Sequence, residues 1–334
     1  MSDRDEIVLT RPPTGGVLIQ IVAVMVFVTL GLALTANSYW ISTLTSAFAL
    51  ALAVRGVAIL YAQLGLVTLS QMALVGVGGW VALRLAHGTD LPFELVVLFA
   101  GIATSVVGMI WGAPALRLQG LYLAIVTLML AGAFQTIIVT IGFPDGGPGF
   151  LGRAAAEQRV MMARPAIATG SVAYFIYVSA WLAAGLLVTE LIRTGPVGRS
   201  WALIRKGPQS AQSTGVNLFR SKMQAFAWTG FLAGISGALL AGNVGQLDGR
   251  SFGASESLSM FALTLVGGAH SWIGAVVAGL LLRAVPSLMT DLGLNGYVAT
   301  SIFGLALLHA LITAPTGIAG QILSVPRRFG RKAK

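Results

Sequence analysis

The chain has 334 residues, of which 56% are hydrophobic and 10% are charged, and it contains no cysteine. Soluble domains carry about 25% charged residues, so this composition excludes an ordinary soluble protein and favours an integral membrane protein. The net charge of +10 is therefore interpreted through the positive-inside rule rather than as a nucleic-acid-binding surface. The lack of cysteine excludes disulfides and thiolate sites.

Ten apolar stretches follow one another along the chain. A helix needs about twenty apolar residues to cross the hydrocarbon of a bilayer, and most of the stretches approach that length. The first has a leader that mixes acidic and basic residues, so we interpret it as a retained helix rather than a cleaved signal peptide. The eighth is too short to cross alone and is predicted to be broken or re-entrant. The stretches are 17–36, 41–61, 67–86, 92–113, 120–142, 171–192, 222–243, 258–268, 273–289 and 297–313.

This pattern predicts an all-α integral membrane protein, a polytopic bundle of about eight to ten transmembrane segments, some of them broken or short. With the amino terminus in the cytoplasm, most of the 21 Lys and Arg residues fall on the inner side. The positive-inside rule then favours two cytoplasmic termini. The predicted organisation is a cytoplasmic tail over 1–16, a transmembrane domain over 17–313 and a basic cytoplasmic tail over 314–334.

A basic segment without acidic residues, 194–221, separates the sixth stretch from the seventh. Proline suits the first position of a helix, so Pro208 to Thr214 is predicted to form a short helix. Gly215 is expected to close it in a left-handed conformation, and Asn217 to cap the next helix. Two interpretations remain open from the pattern: a loop that only fixes topology and touches lipid phosphates, or a docking element for a soluble partner.

The sequence contains none of the common constellations of catalytic or ligand-binding residues. No P-loop pattern G-x-x-x-x-G-K-[ST] occurs, so a nucleotide site of that kind is not expected. His87, His270 and His309 are far apart and lack metal-ligand spacing, so we predict no metal site, no cofactor and no catalytic residue. A membrane-embedded enzyme is therefore disfavoured.

Small residues recur at helical spacing in the seventh stretch, at Gly230, Gly234 and Gly237. Such spacing lets helix backbones approach one another closely in a membrane. Packing within the chain is the favoured interpretation, and an interface with another subunit is the alternative.

Two arginines lie inside predicted spans, where a charge is costly and marks a functional site by default. Arg55 lies about two turns from the inner end of its span, so its long stem can reach the interface by snorkelling. Arg283 is deeper, and its guanidinium suits a carboxylate. Two explanations of a charge at this depth remain open. Arg283 contacts a carboxylate-bearing substrate, or it forms a structural pair with Asp291 or with a helix carbonyl. Three polar residues at the start of the third stretch are further candidates for lining a pathway or an inner gate: Thr68, Ser70 and Gln71.

The basic segment and six further motifs, in order along most of the chain, resemble the LivM-type permeases of the branched-chain amino acid ABC importers. The family pattern for the segment reads roughly G-R-[AS]-x-x-A-[IL]-R, then a polar stretch with A-A, then G-[IV]-N and K-x-x-A-F. The chain has Gly198-Arg199-Ser200, Ile204-Arg205, Ser210-Ala211, Gly215-Val216-Asn217 and Lys222 to Phe226. The other motifs are "TLSQMALVGVGGWVA", "ALRLQGLYLAIVTLMLA", "GGPGF", "GFLAGISGALLAG", "LTLVGGAHSWIGAVVAG" and "APTGIAG".

Departures from the pattern indicate a divergent member of that family. Lys206-Gly207-Pro208-Gln209 stands where the family commonly has an acidic pair, and Gly274-Ala275 where it has Gly-Pro. The resemblance implies that the basic segment is a coupling segment for an ATPase. The residues expected to make that contact are Gly198, Arg199, Arg205, Ser210, Ala211 and Gly215.

The resemblance further implies a multi-pass permease subunit in the bacterial inner membrane, with ATP hydrolysis on separate subunits. The implied partners are a second homologous permease subunit, two ATP-binding subunits and an external solute-binding protein. Branched-chain amino acids or a related small polar solute are the expected cargo, with urea, short amides or aromatic acids as alternatives. An ATP-independent channel or secondary transporter is an alternative of another class, disfavoured because no persuasive inverted repeat is visible.

Overall fold

The computed structural model describes residues 15–118, 120–154, 159–293, 304 and 317–320. Within these ranges the chain is helical and contains no strand, as the all-α prediction requires. The helices are α1 (Gly15–Thr35), α2 (Ser38–Leu64), α3 (Gln71–Gly88), α4 (Phe93–Gly112), α5 (Leu121–Ile141), α6 (Ser171–Thr194), α7 (Pro196–Lys206), α8 (Pro208–Ser213), α9 (Leu218–Val244), α10 (Ala254–Gly267) and α11 (Trp272–Asp291).

Seven of the described helices are long and apolar enough to cross a bilayer: α1, α2, α4 with the short 3-10 turn after it, α5, α6, α9 and α11. The apolar helix α10, at 14 residues, is shorter, which agrees with the prediction that the eighth stretch cannot cross alone. The last predicted span and the carboxy-terminal tail lie outside the described residues, apart from 304 and 317–320.

Two helices form the centre of the bundle. α2 and α9 are each 27 residues long and are buried along most of their length. α9 packs against α2, α3 and α4, while α2 also packs against α6 and α11. α1 contacts mainly α6 and leaves most of its apolar surface exposed. The exposed apolar surface of α1 is expected because lipid, not water, surrounds a spanning helix.

The helix in the third apolar stretch begins later than the sequence predicts, because residues 65–70 are not helical. Gly65 has a φ of 71° and ends α2 in a left-handed conformation, and the Leu66 N–H donates to the Leu60 carbonyl at 3.0 Å. This is the hydrogen-bond pattern with which glycine stops a helix. The predicted helical start at residue 67 was therefore wrong, and the first helical residue is Gln71.

Side chains from other helices satisfy the backbone around this extended segment. The Leu69 N–H donates to Thr127 Oγ1 of α5 at 2.9 Å, and the Met72 N–H donates to Ser257 Oγ of α10 at 3.2 Å. Non-helical backbone is tolerated at membrane depth only where protein or a cavity surrounds it. The extended segment thus lies inside the bundle, between α5 and α10.

Candidate functional site

The first half of the basic segment 194–221 forms α7, a helix that the sequence analysis did not predict. Pro196 occupies its first position, where the missing N–H of proline costs nothing. The signal for this helix is present in the sequence, because Val197, Trp201 and Ile204 recur at the spacing of one helix face. In the structure Trp201 and Ile204 are buried. α7 is therefore an amphipathic helix held against the bundle.

Trp201 anchors α7 to two helices. Its side chain packs in an apolar cluster that includes Leu60, Leu64 and Phe226. Its indole N–H donates to the backbone carbonyl of Ser221 at 2.9 Å. A buried indole normally finds such a partner, and here the bond fixes the orientation of α7 against the start of α9.

The second half of the segment forms α8, which ends at Ser213 rather than at the predicted Thr214. Gly215 has a φ of 83°, in the left-handed region. The side chain of Asn217 accepts a hydrogen bond from the Arg220 N–H at 3.1 Å and so caps α9. Within α8, Ala211 is the buried residue. Most of the other α8 residues are polar and exposed: Gln209, Ser210, Gln212 and Ser213. α8 thus presents a polar surface away from the bundle.

The six residues predicted to contact an ATPase differ in their exposure. Those exposed to solvent are Arg199, Ser210 and Gly215. Those buried within the chain are Gly198 and Ala211. The sixth, Arg205, is also exposed, but its guanidinium contacts other residues of this chain. Only the first group is fully available to a partner.

Arg205, in the last turn of α7, contacts two other elements. Its Nη1 donates to the backbone carbonyl of Ala62 in the last turn of α2. The same nitrogen lies 3.4 Å from Nε2 of His270, in the connection between α10 and α11. Burial and the positive charge of Arg205 both lower the pKa of His270, which favours its neutral form. α7 is thereby attached to α2 and to the α10–α11 connection at one point.

Lys222 attaches the start of α9 to the end of α4. Its side chain is 3% exposed, and Nζ donates to the Ala115 carbonyl at 2.6 Å in the 3-10 turn that follows α4. Cations near a helix carboxy terminus are favoured because they complement its unpaired carbonyls. Lys222, the first residue of the K-x-x-A-F motif, is therefore a packing residue.

Arg55 is buried at 2% exposure and does not snorkel, so that interpretation was wrong. Its Nη2 lies 3.3 Å from Oε2 of Glu190 on α6, and Arg193 pairs with the same carboxylate. Glu190 was not among the predicted site residues, although it is an acidic residue inside a predicted span, where a charge indicates a functional site just as it does for Arg55. These three residues, the buried charge cluster, join α2 to the end of α6.

The three polar residues predicted to line a pathway lie where the extended segment meets α3. The Gln71 amide donates to the carbonyls of Ala53 at 3.2 Å and Thr229 at 3.4 Å, so it bridges α2 and α9. Ser70 is the residue that precedes α3. Thr68 is buried, and its hydroxyl has no partner among the described residues. Of the three, Gln71 is engaged in packing between helices, whereas the Thr68 hydroxyl has no partner in the described part of the chain.

Arg283 lies half-buried on α11, and its Nε is shielded from solvent without a partner in the described part of the chain. The alternative pair with Asp291 does not form: Asp291 is exposed, and no described carboxylate forms an ion pair with Arg283. Arg283 thus keeps an unused donor inside the bundle.

The glycines of α9 face neighbouring helices of the same chain. A Cβ on Gly230 would lie 3.1 Å from the Cα of Ser105, and one on Gly234 would lie 2.8 Å from the Cα of Gly101, both on α4. Gly237 faces Gly78 and the rest of α3 in the same way. These contacts place all three glycines in packing within the chain.

Comparison with known proteins connects this arrangement to one family. The profile of the family described as "Branched-chain amino acid transport system / permease component" matches residues 39–313. The chain is 28% identical over 278 residues to the high-affinity branched-chain amino acid transport system permease protein LivM of Escherichia coli (strain K12), covering 75% of this chain and 64% of that protein. The LivM protein of Salmonella typhimurium is 29% identical over the same length. The chain thus spans about two thirds of the length of these relatives.

More distant matches include the autoinducer 2 import system permease protein LsrC of Yersinia pseudotuberculosis, 27% identical over 139 residues and covering 40% of each chain. No solved structure matches the chain. The family profile covers most of the sequence, including α2 to α11. The chain therefore belongs to the family of permease components of branched-chain amino acid transport systems, as a divergent LivM-type member.

Proposed function

We propose that the chain is the permease subunit of a bacterial ABC importer, coupled through α7 and α8 to separate ATP-binding subunits. The observation that carries the proposal is the shape of the basic segment 194–221. Its two helices are fixed to the bundle by Trp201 and Ala211, yet α8 exposes a polar surface. A loop that only fixed topology would need no such anchoring.

The proposed complex contains a second homologous permease subunit, two ATP-binding subunits and an external solute-binding protein. It lies in the bacterial inner membrane with both termini in the cytoplasm. The family match and the exposed Arg199, Ser210 and Gly215 support this arrangement, because they leave a surface for a soluble partner beside α8.

The proposed cargo is a branched-chain amino acid or a related small polar solute. The proposed pathway residues are Arg283 and Thr68, since the Arg283 Nε and the Thr68 hydroxyl have no partner among the described residues. A guanidinium binds carboxylates in a fixed geometry, so a carboxylate-bearing solute fits Arg283 best. Urea and short amides lack that group and would pass without a specific contact there.

Purification of the full chain from bacterial membranes in mild detergent tests the proposal. ATP-binding subunits should co-purify, and solute-loaded binding protein should stimulate their ATPase activity after reconstitution. Ser210→Trp, on the exposed side of α8, should weaken ATPase binding by roughly tenfold, since that needs only about 1.4 kcal/mol. Thr35→Trp, at the exposed end of α1, is the matched control, because tryptophan is tolerated at a membrane interface.

Uptake of a solute panel by the same complex identifies the cargo. Arg283→Gln should reduce uptake of carboxylate-bearing solutes and leave ATPase binding intact. If no ATPase co-purifies with the wild-type chain, and added ATPase subunits are not stimulated, the importer proposal is wrong. Unchanged affinity and rate in Arg283→Gln would remove the carboxylate contact alone.

A further inference from the structure

Arg205 lies where three elements of the bundle meet. It extends from α7, its guanidinium donates to Ala62 at the end of α2, and it lies 3.4 Å from His270 between α10 and α11. Ala58 and Ala62 of α2 pack with Ala269 in a small buried cluster beside this contact. The end of α7 therefore contacts both α2 and the α10–α11 connection.

The contact with Arg205 requires one protonation state of His270. Arginine has only donors, so the Nε2 atom facing it must carry a lone pair. The imidazole must then be neutral, with its proton on Nδ1. A protonated His270 would place a second cation against the guanidinium and would open the contact.

The elements that meet at Arg205 lead toward the proposed pathway. α11 packs closely on α2, where a Cβ on Gly279 would lie 3.1 Å from the Cα of Ala51. α11 also carries Arg283, whose Nε is unpaired within the described residues. A displacement of α7 at Arg205 would therefore act on α2 and α11 together.

We propose that Arg205 and His270 form the joint through which α7 and α8 move the α10–α11 pair. Arg205 is then a positioning residue of the subunit, rather than the ATPase contact that the family resemblance implied. This inference rests on the proposed function, because it assigns a route within the subunit to the motion that an ATPase would impose. In this proposal α8 contacts the ATPase, and Arg205 transmits the resulting motion of α7 to the α10–α11 connection.

Substitutions of His270 separate this role from simple packing. His270→Gln keeps a hydrogen-bond acceptor but cannot become charged, whereas His270→Lys places a permanent cation beside Arg205. The control is His87→Gln, at the far end of α3. In the reconstituted complex, His270→Lys should keep ATPase binding but reduce solute uptake per ATP severalfold. His270→Gln and His87→Gln should stay close to the wild type.

A pH profile gives a second readout. Among the described residues, Arg205 is the charged group that faces His270, and Tyr61 of α2 packs against the small alanine cluster that includes Ala269. Both burial and Arg205 hold the pKa of His270 below its usual 6.5, so the joint is intact above that pH. Uptake per ATP in the wild type should fall only once the internal pH drops below the lowered pKa of His270. The fall should be absent in His270→Gln, whose side chain does not titrate; an equal fall in both would contradict the joint.

A third measurement needs no ATPase, so it tests the joint even if the proposed function fails. The chain has no cysteine, so a thiol-reactive spin label attaches only to cysteines that are introduced. Gln212→Cys on α8 and Leu288→Cys on α11 introduce two of them at exposed positions. In lipid nanodiscs, His270→Lys should broaden the distribution of distances between the labels, and His87→Gln should not. Identical distributions for the wild type and His270→Lys would overturn the proposed joint. Failure of the wild type to bind any ATPase would instead overturn the importer proposal.

Discussion

Arg55 shows how a charge within the bundle is accommodated. Its guanidinium pairs with the carboxylate of Glu190, 135 positions away in sequence, and Arg193 pairs with the same carboxylate. Burial of such a pair contributes little to net stability, because desolvation offsets the attraction. Removal of one partner, however, leaves an uncompensated buried charge.

Glu190→Gln is therefore expected to destabilise the protein by about 3–5 kcal/mol, the usual effect of breaking a buried ion pair. The measurement is thermal unfolding in detergent. Glu94→Gln, in the first turn of α4 and outside any described ion pair, is the control and should cost less than about 1 kcal/mol. Equal effects of the two changes would mean that the loss of Glu190 leaves no uncompensated buried charge on Arg55.

At the scale of elements, α9 holds the bundle together because its glycines let α3 and α4 approach its backbone. The contacts around Gly234 involve backbone atoms of Ala100 and Gly101, which cannot move without moving α4. Helix association in membranes depends on such close packing, since lipid supplies no hydrophobic force between helices. A methyl group added at position 234 would therefore push α9 and α4 apart.

Gly234→Ala is expected to lower stability by about 1–3 kcal/mol, the usual cost of overpacking. The control is Gly132→Ala on α5, where a Cβ meets no atom within 4 Å. That change should be neutral or slightly stabilising, because alanine has the higher helix propensity. Unfolding in detergent measures both, and a tolerated Gly234→Ala would show that α4 can shift freely.

At the scale of the whole molecule, α7, α8 and the α10–α11 connection lie at one end of the bundle, joined through Arg205. Most basic residues were assigned to this side from the sequence. By the positive-inside rule, we propose that this end lies in the cytoplasm. Labelling tests this orientation.

The cysteine-free chain suits this test, because an introduced cysteine is the only reactive thiol. Asp90→Cys lies in the exposed connection between α3 and α4, and Gln212→Cys lies on the exposed side of α8. In intact spheroplasts, an impermeant maleimide should label position 90 and not position 212. Permeabilised membranes, in which both should react, are the control. The reverse pattern would invert the proposed topology.

The sequence predicted well where the information is local. Apolar length marked the spanning helices, and the caps at Gly215 and Asn217 followed from residue type. It failed where a helix begins inside an apolar run: residues 67–70 are as apolar as α3 but are extended, because Gly65 stops α2 and Thr127 binds the freed backbone. It also missed α7, whose apolar face is short.

By itself, the sequence determined that lipid surrounds this protein, in which order its helices follow and which family it belongs to. Composition and hydropathy decide these properties because each helix satisfies its own backbone hydrogen bonds in a membrane. Only the tertiary structure decided which charges meet: Arg55 with Glu190, and Arg205 with His270 and Ala62. These partners lie on helices far apart in sequence, so packing of the whole bundle, and no local pattern, brings them together.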